Sequence, residues 1–380
     1  MREEPVTAVV TANDAFAADL YGVLTGDTRQ TVFSPVSVAA ALRMALCGAR
    51  GQTAAELGGA LHESPDAAAD GLRATSAAVH DVAADGSVTF RAPSIVWVQS
   101  GLPLRPEFTG QLGDAAAAAI ARVGFAEAPE AARAEINRVI AEQTAGQITG
   151  LLPAAAISDL TQLVLTSAIY LKAAWAERFA EAATRDAPFY PDGPDRPRMT
   201  VPMMHSTAAR AYRHGDRYQA VLLPYQGGQL AMAVVLPDGP LTTLRPAIAA
   251  DGLRGLLAGT SRYQVTLSLP RFRVEAAFDL IPVLRRLGVR EAFTREADFS
   301  GITEAERLLI NAVAHKAYVD VDEQGTEAAA ANAISFRPTA AFRAPPAVTM
   351  TVDRPFLFVI FHTPTGTPLF VGQVSQPGVR

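Results

Sequence analysis

Residues 319–350 read VDVDEQGTEAAAANAISFRPTAAFRAPPAVTM. The stretch opens with strand character, because Tyr318, Val319, Asp320, Val321 and Asp322 alternate with period two. It closes on a second β-like run at Val348 to Val352. Between the two, about twenty residues show no regular pattern, and a connection of that length inside a compact unit is usually functional or disordered. Gly325 offers a hinge, since it has no Cβ to restrict φ. Ala328, Ala329, Ala330 and Ala331 suit a helix, Ala being the best helix former. They equally suit a segment that slots between two strands, where a larger side chain would not fit. Ile334, Phe336 and Phe342 stand among prolines, which favours an extended segment over a central strand. Local pattern alone also allows a core helix followed by a surface loop.

The chain around this stretch has 380 residues, 49% of them hydrophobic and 19% charged, so it can bury a large core and is not disordered by composition. A net charge of −5 argues against a nucleic-acid surface. Lys172 and Lys316 are the only lysines; arginine supplies the other basic residues, and with the abundant alanine this reads as the codon usage of a GC-rich, prokaryotic-type genome. Cys47 is the sole cysteine, so no internal disulfide forms, and its apolar setting (SVAAALRMALCGA) suits a buried, inert thiol. No apolar run is long enough to span a membrane. MREEPVTAVVTANDAF lacks a signal-peptide core after its charges, so the expectation is a cytoplasmic protein or a mature secreted form.

In chain order, residues 9–25 have helical spacing, and Ser34-Pro35 marks a helix start, with a Ser cap and Pro at the first position, for a helix from Val38 to Cys47. Thr53-Ala54-Ala55-Glu56 has capping-box spacing. Residues 65–80 form an Ala-rich helix with Arg73 as its only firm cation, Ser87 to Val98 reads as a strand, and 129–144 as a helix with Ala131, Ile136, Val139 and Ile140 on one face. Leu163 to Leu171 is a near-continuous apolar run, as in a strand buried on both faces. Gly227-Gly228 reads as the turn of a hairpin in a second, antiparallel sheet. Residues 263–275 form one strand with a helix following at 276–287, and Thr365-Gly366 turns a C-terminal hairpin.

Five segments carry a family resemblance: FSPVSVAAAL with GARGQTAAEL, LVLTSAIYLKAAW, EQGTEAAAANA, and the tail RPFLFVIFHTPTGTPLFVGQVSQP. They resemble the serpins, serine protease inhibitors whose reactive loop inserts into their main sheet, and they follow serpin order from about residue 12 to Pro377. The resemblance implies an α+β fold with a large central mixed sheet, two smaller sheets, eight or nine helices and an exposed reactive-centre loop. It implies one domain over residues 1–380, with the loop at about 323–347. The hinge would be Glu323, Gly325, Thr326, Glu327, Ala328, Ala329, Ala330, Ala331 and Asn332. Shutter and breach positions, which gate the sheet, would be Ser34, Pro35, Ser37, Ser167, Trp175, Arg271 and His315. His315 is expected near Ser37 and Ser167, and Glu323 is expected to pair with Arg271.

Side chains facing the interior would be Thr326, Ala328, Ala330 and Asn332, all small and uncharged, which suits insertion. Family spacing from Gly325 puts the scissile bond at Thr339-Ala340, while counting back from Pro355-Phe356 points to Ala341-Phe342; Arg343 is a further candidate. The function implied is suicide inhibition of an elastase-, subtilisin- or chymotrypsin-like protease by a monomer. No cofactor, metal, nucleic acid or membrane is implied, and the lack of cations at 65–80 argues against a heparin site. Two other readings differ in class: a non-inhibitory serpin acting as a binding or chaperone-like protein, and a hydrolase with a triad assembled in space. Gly-x-Ser-x-Gly, His-Glu-x-x-His, Cys-x-x-Cys and Gly-x-x-x-x-Gly-Lys are all absent from the sequence.

Overall fold

The computed structural model describes residues 3–26, 30–83, 88–113, 118–193, 198–326 and 346–377. In chain order these form α1 (Glu3–Leu24), β1 (Thr31–Phe33), α2 (Pro35–Gly48), α3 (Gly51–Ala60), α4 (Ala68–Ala83), β2 (Val88–Arg91), β3 (Ser94–Gln99), α5 (Pro106–Gly113), β4 (Ala118–Val123), α6 (Pro129–Gln143) and β5 (Leu163–Ala174). Then follow β6 (Arg185–Phe189), β7 (Met199–Gly215), β8 (Tyr218–Pro224), β9 (Leu230–Pro237), α7 (Arg245–Gly255), β10 (Ser261–Pro270), β11 (Phe272–Asp279) and α8 (Ile281–Arg286). The last strands are β12 (Ile310–Val321), β13 (Gly325–Thr326), β14 (Ala347–Thr351), β15 (Phe356–His362) and β16 (Thr367–Val374).

Helix α2 starts as its sequence requires. The Ser34 side chain accepts the Ser37 amide at 3.2 Å, and Pro35 occupies the first helical position, where a missing N–H costs nothing. Every residue of α2 is buried, so it runs through the middle of the molecule between the sheets and the other helices. Burial pushes the Cys47 thiol up to about 11, which leaves it inert at neutral pH.

Seven strands make one sheet in the order β11-β12-β13-β5-β3-β4, with β2 also on β5. It is mixed: β12 with β5 and β3 with β4 run parallel, and the other pairs antiparallel. Strand β5 is buried at every residue but Lys172, as its continuous apolar run requires. The second sheet has nine strands in the order β1-β16-β15-β9-β8-β7-β10-β14, with β6 on β7. Its long strand β7 pairs with β10 over Met203–Tyr212 and with β8 over Tyr212–Gly215. The two smaller sheets that the resemblance implies are therefore joined through β7 into one surface. A core that includes Phe272, Val274, Val319, Phe356 and Phe358 packs between the two sheets.

Four local readings are corrected. The single strand expected over Ser87 to Val98 is two, Val88–Arg91 and Ser94–Gln99, because Pro93 has no N–H to donate; its carbonyl instead accepts the Ala168 amide at 3.0 Å. Residues 263–275 also divide: at Arg271 the chain leaves β10 in the nine-stranded sheet and enters β11 in the seven-stranded one. The helix expected at 276–287 shrinks to α8, because Ala276 to Asp279 pair with Ala317 to Ala314 of β12. On α6 the buried face is Ala132, Ile136 and Ile140; Ala131 is exposed.

Candidate functional site

The expected hinge and gating residues converge on β12 and β5. Over their lower halves the two strands pair directly, from Ile310↔Leu163 to Ala317↔Ile169. Above that they part, and β13 stands between them, antiparallel to both: Thr326 pairs with Val321 and Ala173, and Gly325 with Ala174. The stretch after Asp322 thus begins a strand between β12 and β5, and the described residues Gly325 and Thr326 are its first two positions. The expected hinge residues Glu327, Ala328, Ala329, Ala330, Ala331 and Asn332 lie outside the described residues. So do the scissile-bond candidates Thr339, Ala340, Ala341, Phe342 and Arg343.

Only glycine fits at 325. A Cβ there would lie 2.1 Å from the Ala173 carbonyl oxygen and 2.7 Å from the Ala174 Cα, and φ is +152°. These contacts are backbone on both sides, so no side-chain movement relieves them. Thr326 points inward and is fully buried. Its Oγ1 lies 2.6 Å from the Tyr225 hydroxyl. The Tyr225 ring stacks on Trp175, centroids 4.5 Å apart and 17° from parallel. Trp175 in turn donates its indole N–H to the Asp322 carbonyl (3.0 Å) and its amide to the Gln324 carbonyl (2.9 Å). Trp175 therefore clasps the chain segment just before the hinge on one side and braces Tyr225 on the other.

Glu323 does pair with Arg271. Its Oε1 takes Nε at 2.8 Å and Nη2 at 2.7 Å, and the Thr184 hydroxyl donates to the same oxygen. The Glu323 side chain is 3% exposed, whereas the Arg271 side chain is 45% exposed. Burial alone would raise the Glu323 pKa, but the bonds from Arg271 and Thr184 outweigh it and hold the carboxyl below the usual range. Burial raises the neighbouring Asp322 instead, helped by the charges of Glu323 and Asp320 against two backbone bonds that lower it.

Lower on the same strands sits His315, fully buried and paired in register with Ser167. The Ser34 amide lies 2.9 Å from Nε2, so Nε2 accepts and the ring is neutral with its proton on Nδ1. That proton faces the Ser167 hydroxyl at 2.9 Å and the Ser167 carbonyl at 3.2 Å. Desolvation lowers the His315 pKa to about 4, with the Ser167 backbone bond opposing. Ser37 is one step removed: its hydroxyl donates to the Ser34 carbonyl, and its own carbonyl accepts the Ser94 hydroxyl at 3.0 Å. Sequence reasoning placed Ser37 against His315; the direct partner is the backbone of Ser34. Phe278 stacks on the imidazole from the neighbouring strand β11, with centroids 6.3 Å apart.

Tyr225, Thr184, Ser94 and Phe278 were missed by the sequence reading. Tyr225 alone carried a signal, since it stands between the β8 run and Gly227-Gly228, an aromatic at the end of a strand. Of the hydroxyl-bonded histidines His205, His315 and His362, none also bonds a carboxylate among the described residues. No group of His, Cys, Asp and Glu among those residues could hold a metal ion.

The profile of the serpin (serine protease inhibitor) family matches residues 11–377. The chain is a serpin. A serpin-like protein of Thermococcus kodakarensis is 37% identical, over 99% of this chain and 88% of its own length. Leukocyte elastase inhibitor of Bos taurus is 36% identical, over 96% of this chain and 98% of its own. A solved tumour-suppressing serpin superposes with a TM-score of 0.87 at 26% identity, covering 98% of this chain and 100% of its own. The family is described as one of serine protease inhibitors.

Proposed function

We propose that this serpin inhibits serine proteases by trapping them as a covalent acyl-enzyme, through insertion of its cleaved loop between β12 and β5. The observation that carries the reading is β13, two residues of hinge already seated in antiparallel register while the strands below remain paired. The target's serine attacks the scissile carbonyl, an ester forms, and the new amine end departs. The hinge end is then free to lengthen β13 downward, adding strand pairing and burying alternate small side chains: Thr326, Ala328, Ala330 and Asn332. The ester-linked protease is carried along, and distortion of its catalytic site outruns deacylation.

Insertion must part β12 from β5, and the 2.9 Å contact between His315 and Ser167 crosses that seam. His315 keeps its bond to Ser34 on the α2 side, so it acts as a latch broken on one side only. We place the scissile bond at Thr339-Ala340, and a small residue before it suits an elastase-like target, in keeping with the related leukocyte elastase inhibitors. Incubation with elastase, chymotrypsin, subtilisin and trypsin, read on denaturing gels and by mass spectrometry, tests this. The expected result is an SDS-stable complex with elastase and cleavage after Thr339. Cleavage without a complex by every protease would favour the non-inhibitory reading instead.

A further inference from the structure

We propose that this serpin carries a small-molecule site, distinct from hinge and latch, that takes a monocarboxylate with an apolar body. The site is a cavity of about 640 Å³ where β9 ends, β15 begins and β16 ends, roofed by the last turn of α1. That volume is in the range of pockets that bury a small organic ligand. The Tyr21 ring, Leu241 and Pro355 supply apolar wall.

The groups inside are hydrogen-bond donors. Ser375 is 1% exposed, and its Oγ lies buried without a partner among the described residues. A native fold rarely leaves such a hydroxyl unmatched, so it marks a place where a ligand or water belongs. The Tyr21 hydroxyl donates a long bond, 3.3 Å, to Gln373 Oε1. Arg245 commits one Nη2 bond, to the Thr25 carbonyl at 3.0 Å. Arg354 commits Nε to the Pro237 carbonyl (3.0 Å) and Nη1 to Asp353 (3.1 Å). The remaining N–H groups of both guanidiniums are uncommitted among the described residues. Two cations and two hydroxyls around one cavity match a carboxylate, which accepts several donors at once.

The carboxylates that line the cavity, Asp192 and Asp238, are both exposed, so they stand at its rim and not in its interior. Their charge selects against polyanions and leaves the monocarboxylate as the anion that fits. The apolar wall then seats an aromatic or branched aliphatic body.

Isothermal titration and thermal shift on the intact protein test the site without any protease, using phenylacetate, 3-phenylpropionate, isovalerate and hexanoate at millimolar concentration. Phenethylamine and citrate serve as the charge controls. At least one monocarboxylate is expected to bind saturably and raise Tm, and neither control to do so. Arg245→Gln should weaken binding about tenfold, the scale of a hydrogen bond to a charged group. Because Arg245 also holds Thr25, two further variants guard the test: Ser375→Ala, which removes a hydroxyl without a partner among the described residues, should weaken binding, and Leu241→Trp should fill the cavity and abolish it. No saturable binding by any of the four acids would overturn the proposal. So would equal binding of phenethylamine, or affinity unchanged in both Ser375→Ala and Leu241→Trp.

Discussion

Acid should loosen this serpin through one residue, His315. In the folded chain the ring is neutral, because Nε2 must accept from the Ser34 amide, and its pKa falls from 6.5 to about 4 through burial. The unfolded chain titrates near 6.5, so between those values it binds the extra proton and the folded chain does not. Stability therefore rises with pH across this window and is lost as pH falls through it, levelling below about 4. The full shift is worth about 3 kcal/mol, a large share of the 5–15 kcal/mol typical of folded domains. Carboxylates titrate in part of the same window, so the comparison is with His315→Gln, whose amide can accept from Ser34 and donate to Ser167 but carries no proton equilibrium. Urea midpoints for both proteins between pH 7 and about 4 should diverge, with the wild type losing about 3 kcal/mol more. Parallel pH profiles would refute the assignment of His315 as a buried neutral latch.

Other perturbations address the entrance of the slot. Tyr225→Phe keeps the stack on Trp175 but leaves the buried Thr326 hydroxyl unpaired, at a cost of about 1–3 kcal/mol; hydrogen exchange at Thr326 should accelerate about tenfold or more, and unchanged protection would deny Tyr225 its role. Arg271→Met strands the buried Glu323 carboxylate. The loss should be about 2 kcal/mol, below the 3–5 of a fully buried pair because Arg271 is half-exposed. Faster polymerisation on mild heating, by size exclusion, is expected for Arg271→Met and Glu323→Lys, and an unchanged monomer lifetime in both would count against a gating pair. Gly325→Ala meets the Ala173 carbonyl and should expel the hinge, turning inhibitor into substrate; a normal yield of SDS-stable complex would show that β13 is dispensable.

Much of the fold was legible where the signal is local. Ser34-Pro35 reads as a cap because two adjacent residues make it one, and Leu163 to Leu171 reads as a buried strand from its own composition. Gly325 was legible because it needs no Cβ, and the Glu323–Arg271 pair through the family resemblance. What escaped depends on partners distant in sequence. The crossing at Arg271 is invisible because strand periodicity continues through it while the pairing partner changes from β7 to β12. Ala276 to Asp279 favour a helix locally and are held extended by β12. Tyr225, Thr184 and Ser94 act on residues 101, 139 and 57 positions away, so nothing in their own neighbourhoods announces the contact.

The most direct test of the account is the melting temperature of the chain after its loop is cut between Thr339 and Arg343, against that of the intact protein. Insertion as a full strand between β12 and β5 would add strand pairing along both, so the cleaved form is expected to melt far higher than the intact one. A cleaved form that melts at or below the intact temperature would mean the slot does not take the loop, and the trapping mechanism would fall with it.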